Sequence, residues 1–326
     1  MLAAKASEVG LPANLLRVVQ RTLVVVNPRS RNGATGRRWR GHEARLREVL
    51  GPLEVEHTRG PRDAERLARE GVRAGVERIL VAGGDGTLSE VATGLLAADL
   101  ASYASIGLLP LGTGGDFARS LGIPRDLEGA LACIAQGNTR KVDAGRARFL
   151  GADGADRTAY FVNVSSFGIS GLIDELVNRT SKRLGGTLSF LVGTLRAIFQ
   201  YRSIRVAIRV DGELVHDAGL ILATGANGRY FGGGMQVAPE ARIDDGLLDV
   251  VIVADLPIPK LLAKLPKIYA GTHLADEAAV LHRGRVIEAE ALPGRVMLDL
   301  DGEPLGTLPV RCEVLPGALT VFGPAA

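Results

Sequence analysis

The sequence predicts an α/β protein with two parts: an N-terminal doubly wound, three-layer α/β domain and a C-terminal β-rich, sandwich-like domain. Three observations predict it. Short β-branched strands alternate with amphipathic helices from Thr22 to Leu109, an alternation that implies parallel strands joined by crossover helices. After Arg140, strand-like segments follow one another closely with few helices between them. Turns rich in Gly or Asn-Pro leave three of the early strands, and in open α/β sheets ligands bind at the carboxyl ends of the strands.

In chain order, residues 22–26 read as a strand, 27–36 as a turn, and the next segment as a helix with apolar Trp39, Leu46, Val49 and Leu50. A strand at 53–57 precedes a helix at 62–73. A strand at 78–81 leads through a glycine turn into a helix at 88–98, and a strand at 106–109 ends in a second glycine turn. Beyond Arg140 the predicted strands are 160–164, 204–210, 213–224, 247–254, 278–290 and 295–300, with Asp211-Gly212 as a hairpin turn. An apolar segment, 184–201, and a helix, 258–274, are expected to pack on them. There is no internal repeat and no low-complexity tract.

Composition bounds the function. The 326 residues are enough for two domains, and 46% hydrophobic content supports a sizeable core. A formal net charge of only +3 does not indicate a nucleic-acid binder, although it is compatible with anionic membranes or phosphates. Cys133 and Cys312 match no zinc or CxxC spacing, which points to a reducing compartment. Arg17, Gln20 and Arg21 interrupt the apolar stretch 11–26, so neither a signal peptide nor a membrane span is expected, and any membrane contact is expected to be peripheral.

No GxxxxGK[ST] sequence is present, so a nucleotide would not be held by a Walker A loop. Gly83-Gly84-Asp85-Gly86-Thr87 instead follows a buried-looking strand and opens a helix, where backbone N–H groups and the helix dipole favour an anion. Asp85 is placed to hold a magnesium ion that bridges phosphates. The loops 110–117 (PLGTGGDF) and 27–33 (NPRSRNG) leave neighbouring strands toward the same edge. Each alone reads equally as a tight strand-to-helix turn, but three converging loops favour a binding edge.

Taken with the late APEARIDDGLLDVVIV segment and the DGE at 301–303, these loops resemble the diacylglycerol kinase catalytic-domain family, which includes bacterial lipid kinases and is related to sphingosine and NAD kinases. The resemblance runs from Thr22 onward and implies an NAD-kinase-like first domain of residues 20–143 plus about 308–326, and a lipid-substrate domain of 144–307. Strands at 310–315 and 319–322 would return to the first domain. Carried over by position, the ATP site comprises Asn27, Pro28, Arg29, Ser30, Arg31, Thr58, Gly84, Asp85, Gly86, Thr87, Leu88, Ser89, Glu90 and Thr113. The family usually has Asn where Ser89 and Gly115 stand.

The same resemblance makes Asp245, with the carbonyls of Arg242 and Leu247, a structural Mg2+ site; oxygen-only ligands are what magnesium prefers. It makes Glu303 the proton acceptor, with Asp301 beside it, and a carboxylate near the attacking oxygen suits phosphorylation of a hydroxyl. By themselves, DDG and DGE are ordinary turns. Apolar residues Leu188, Phe190, Leu191, Val192, Leu195, Ile198 and Phe199 suit either an acyl slot or a core helix. Lys260, Lys264 and Lys267 suit either an anionic membrane or a solvated face, with Arg179, Lys182 and Arg183 adding basic charge ahead of the apolar helix.

The expected activity is ATP-dependent transfer of phosphate to a lipid hydroxyl, with a diacylglycerol-like acceptor and ATP and Mg2+ as cofactors. The rivals are a small-molecule kinase of NAD-kinase type and a non-catalytic nucleotide-binding regulatory protein. The expected location is cytoplasmic, peripheral at the inner membrane face, with a lipid substrate, no nucleic-acid partner and a homodimer left open.

Overall fold

A computed structural model of the chain describes residues 20–151, 153–179, 186–292 and 294–324. Strand β1 (Thr22–Val26) lies between β2 (Glu54–His57) and β3 (Arg78–Gly83), and β4 (Ser105–Pro110) follows β3, all in parallel register. Alternate residues of each strand face opposite ways, so one sequence period builds two cores. Leu23, Val25, Ile79, Val81 and Ile106 pack beneath α2 (Asp63–Arg73) and α3 (Asp85–Leu96). Val24, Val26, Leu80, Ala82 and Leu109 pack beneath α1 (Ala34–Leu50) and α5 (Leu127–Gln136). Each fully buried Leu or Ile here contributes about 1.5–3 kcal/mol. This is the three-layer arrangement that the alternation predicts.

The short helix α4 (Asp116–Ser120) separates the second glycine turn from α5. Strand β5 (Thr139–Leu150) then leaves the layer, pairing with β6 (Asp156–Phe161) and with the last strand, β14 (Glu303–Phe322). The remaining strands are β7 (Val164–Gly168), β8 (Ile204–Val210), β9 (Glu213–Ala226), β10 (Leu248–Ala254), β11 (Ala279–Gly284), β12 (Val286–Ala291) and β13 (Met297–Leu300). Following the pairs from β7 through β9, β8, β12, β14 and β13 returns to β7, so this sheet closes on itself. Phe161, Phe167, Ile208, Leu248, Ile287, Leu298 and Cys312 fill it. Helices α6 (Ile169–Arg179), α7 (Gly186–Gln200) and α8 (Ile258–Ala270) accompany this half, with Ile173, Ile198 and Leu261 in a shared cluster.

Several elements differ from the sequence expectation. The strand expected at 160–164 is two, β6 and β7, and the one expected at 278–290 is β11 and β12. The two terminal strands are one, β14, with register shifts between Thr307 and Val310 and between Leu315 and Leu319. Its far end pairs in parallel with β4 through Thr320–Ser105 and Val321–Ile106, and so does return to the first layer. Strand β5 has no counterpart in the sequence expectation. Asp211 and Gly212, both at positive φ, form the expected hairpin turn between β8 and β9.

Candidate active site

The carboxyl ends of β1, β3 and β4 meet through a set of cross-ties. Asn27 donates from Nδ2 to Thr87 Oγ1 (3.1 Å), while its Oδ1 accepts from the Arg29 amide (3.0 Å). Ser30 Oγ and Thr35 Oγ1 both donate to the Leu111 carbonyl, at 3.2 and 2.9 Å. Thr58 donates its amide to the Val26 carbonyl (2.8 Å), which puts it at this edge. The glycine loops touch backbone to backbone: a Cβ on Gly112 would lie 2.3 Å from Gly84 Cα. Between them lies a cleft of about 230 Å³ lined by Arg31, Gly84, Asp85, Thr113 and Arg125. Two guanidinium groups and the amino end of α3 give this cleft the character of an anion site.

Asp85 has a structural task that the sequence does not reveal. Its Oδ2 accepts from the amides of Gly115 (2.8 Å) and Asp116 (3.0 Å), and its Oδ1 from Phe117 (3.3 Å). Helix α4 has no side-chain cap of its own, because Gly115 stands at its N-cap position with φ of 75°. Asp85 supplies that cap from the neighbouring loop. One turn further along α3, Glu90 accepts from the Ala64 amide (3.1 Å) and caps α2 in the same way. A magnesium contact at Asp85 would therefore share a carboxylate already engaged by backbone amides.

The turn at 301–303 faces this edge from the closed sheet. Asp301, at φ 52°, accepts from the amides of Val162 (2.8 Å), Asn163 (2.9 Å) and Val164 (2.9 Å), and from the Ser89 hydroxyl. Burial pushes the Asp301 carboxyl above its ordinary range against the pull of those donors. It is thus an anchor between β6, β7 and α3. Glu303 lines a second cleft, of about 560 Å³, together with Gly86, Ser89 and Glu90. Glu303 is exposed as a whole, but partial loss of water at its carboxyl, then the like charges of Glu90, Asp299 and Asp301, hold it above the usual carboxylate range. A carboxyl so tuned suits a general base, and it lies beside the helix start that borders the first cleft.

Three carboxylates and an amide to which the sequence reading gave no bracing role tie the site together. Buried Asp116 accepts from Arg119 (2.9 Å) and from the Gly233 amide (2.7 Å), tying the second glycine loop to the closed-sheet half. Asn227, fully buried, donates to the carbonyls of Asp143 (2.9 Å) and Val162 (2.7 Å). Asp143 accepts from the Gly246 and Gly317 amides, both at 2.7 Å, and Asp299 accepts from the Gly302 amide (3.1 Å). Asp116 and Asp299 belong to segments visible in sequence, the second glycine loop and the alternating run into the turn at Gly302; Asp143 and Asn227 had no local signal.

Asp143 also donates its amide to the Ile243 carbonyl (2.7 Å), so β5 braces both sides of the 242–247 loop. There Asp245 is exposed, with Oδ1 accepting from the Leu247 amide (3.1 Å). An exposed carboxylate on a braced turn is the kind of oxygen donor that Mg2+ prefers. In α8, Lys264 and Lys267 both pair with Asp276, and Leu261 is buried. In α7, Ile198 is buried in the shared cluster and Phe199 points outward, 59% exposed. Lys182 and Arg183, and the side chains of Arg179, Leu188, Phe190 and Leu191, lie outside the described residues.

Comparison with known proteins gives consistent findings. Residues 21–147 match the diacylglycerol kinase catalytic domain, and residues 163–323 match the YegS C-terminal NAD kinase beta sandwich-like domain. "Probable lipid kinase YegS" of Salmonella arizonae is 36% identical over 259 residues, 79% of this chain and 81% of the relative. "Probable lipid kinase YegS-like" of Chromohalobacter salexigens is 36% identical over 287 residues, 86% of each chain. A crystal structure described as "a putative diacylglycerol kinase" from Bacillus anthracis str. Sterne superimposes with a TM-score of 0.77 at 25% identity, covering 94% of this chain and 95% of that one. Yeast NADH kinase shares the fold, with a TM-score of 0.54 at 10% identity, covering 94% of this chain and 84% of that one.

Proposed function

This chain belongs to the YegS-like family of lipid kinases with a diacylglycerol kinase catalytic domain, and from that premise we propose that it transfers the γ-phosphate of ATP to the hydroxyl of a diacylglycerol-like lipid. One observation carries the reading: Glu303 and the start of α3 line a single cleft, so a base stands beside the phosphate-binding helix end. ATP phosphates rest against the amides of the 83–87 loop, with Arg31 and Arg125 offsetting their charge. The lipid hydroxyl enters from the cleft above Leu300 and Leu305.

As the acceptor oxygen bonds to the γ-phosphorus, the bond from that phosphorus to the β,γ-bridging oxygen breaks, and ADP leaves. The hydroxyl proton passes to Glu303, whose raised affinity for protons suits that task. Asp301 does not move protons; its backbone bonds fix the turn that aims Glu303. Magnesium, when bound, neutralises charge on the phosphates and, at Asp245, stiffens the 242–247 loop. Among the described residues no helix is long and apolar enough to cross a membrane, and an acceptor that scarcely dissolves in water brings the enzyme to the inner membrane face. Glu303, lining the cleft beside the start of α3, argues against a purely regulatory binding protein.

The test is incubation with γ-labelled ATP, Mg2+ and a panel of diacylglycerol, sphingoid base, phosphatidylglycerol and NAD in detergent micelles. Label is expected in diacylglycerol, and Glu303→Gln should lower turnover by about two orders of magnitude with the nucleotide KM nearly constant. Label appearing in NAD and in none of the lipids would refute the proposal.

A further inference from the structure

Against the 241–244 turn lies a pocket that shares no lining residue with either cleft above. Its volume is about 260 Å³, and Ser120, Arg140, Arg229 and Arg242 line it, with Asp244 as its one carboxylate. Three guanidinium groups against one carboxylate leave a formal charge of +2 around a space large enough for a small oxyanion. The carboxylate does little to offset it, since Asp244 reaches Arg242 only at 3.6 Å and both side chains are substantially exposed.

Two of the three arginines, Arg140 and Arg229, are held in place by backbone carbonyls. Arg229 donates from Nε to the Ala241 carbonyl (3.0 Å), and its own amide donates to Ser120 Oγ (3.1 Å). Arg140 donates from one terminal nitrogen to the Leu121 carbonyl (3.2 Å), while its Nε is buried with no hydrogen-bond partner among the described residues. Carbonyl anchoring orients a guanidinium without neutralising it. Arginine forks so held match the tetrahedral oxygens of a phosphate group better than they match a single carboxylate.

We propose that this pocket is a binding site for a phosphate group, separate from the nucleotide cleft, and that its occupant braces the loop carrying Asp245. The elements it would join are the end of α4, the start of β5 and the 229 and 241–244 turns. The phosphate group could come from free inorganic phosphate or from the headgroup of an anionic lipid, which share this chemistry. The inference does not depend on which acceptor the kinase uses.

The test begins with calorimetric titration of inorganic phosphate into the full chain, with the nucleotide cleft filled by a non-hydrolysable ATP analogue. Saturable binding is expected, weakened at least tenfold by Arg229→Gln and by Arg242→Ala, the latter substitution leaving the residue 242 carbonyl in place. Unliganded melting temperatures of the variants report whether they fold, and Arg229→Lys, which keeps the charge, should bind more tightly than Arg229→Gln. A second arm measures co-sedimentation with phosphatidylglycerol and with phosphatidylcholine vesicles. Loss of phosphatidylglycerol binding in the folded variants would assign the site to a lipid headgroup; loss of phosphate binding alone would assign it to a soluble anion. Absence of saturable phosphate binding together with unchanged vesicle binding in folded variants would overturn the proposal.

Discussion

Replacing Asp85 by alanine removes three hydrogen bonds at once, and the structure sets the cost. The bonds to Gly115 and Asp116, at 2.8 and 3.0 Å, are short enough to count fully, and the one to Phe117, at 3.3 Å, is weak. Hydrogen bonds to a charged group contribute about 1.5–3 kcal/mol each, which gives about 3–6 kcal/mol for the two good ones. Asp85 is only half-buried, so water replaces part of that loss and about 2–4 kcal/mol remains. For a chain of this size the melting temperature should fall by about 3–6 °C. Asp85→Asn keeps an acceptor for the loop amides but not the charge, so it should recover much of the stability while losing affinity for magnesium-ATP. Differential scanning calorimetry and titration of an ATP analogue with and without Mg2+ separate the two effects. If Asp85→Ala melts within a degree of wild type, the cap between the glycine loops is not what holds the second loop.

Gly112→Ala should abolish nucleotide binding, because its Cβ would strike Gly84, whereas Gly115→Asn should leave it nearly intact, since space is open there and Asn tolerates positive φ; titration of both variants checks the contrast. The acid limb of the kcat/KM profile should lie above the ordinary carboxylate range, because partial desolvation of its carboxyl and the charge of Glu90 raise Glu303, and Glu90→Gln should shift that limb to lower pH. The stability consequence has a definite sign: a carboxyl raised in the folded state adds stability below its unfolded value and loses it as pH rises through the folded one. Glu90, itself raised by burial, should therefore cost less to replace by Gln at pH 8 than at pH 5, as chemical denaturation at both values will show.

The first layer was legible because its strands carry uninterrupted apolar runs such as Leu23–Val26 and Ile79–Ala82, whose burial on both faces produces that pattern. Strand β5 was not, because Arg140, Lys141, Arg146 and Arg148 interrupt it and its inward positions include small residues such as Ala144 and Ala147. The loops that gather at the sheet edge were readable from Gly and Asn-Pro placed just after strands. What the carboxylates do there was not: Asp85 meets amides 30 or more positions away, Asp301 meets amides more than 130 away, and Asp143 meets Gly317 across 174. Local pattern specifies a turn, but a cap supplied from another part of the chain is decided by tertiary packing.

Strand β14 starts at Glu303, the proposed base, and ends at Phe322 after pairing with β4, the strand that leads into the second glycine loop. With β5 alongside it over most of that span, the connection between the two halves is a ladder-bonded ribbon instead of a pair of loose linkers. Strands β12, β13 and β4 add their own ladders along β14, so any relative rotation of the halves has to strain paired backbone, and the two register shifts are where the β5 ladder is interrupted. One continuous strand thus carries Glu303 at its start and is bonded at its end to the strand that leads into the second glycine loop, so base and phosphate loops are parts of one hydrogen-bonded framework and not of two bodies joined by loose linkers.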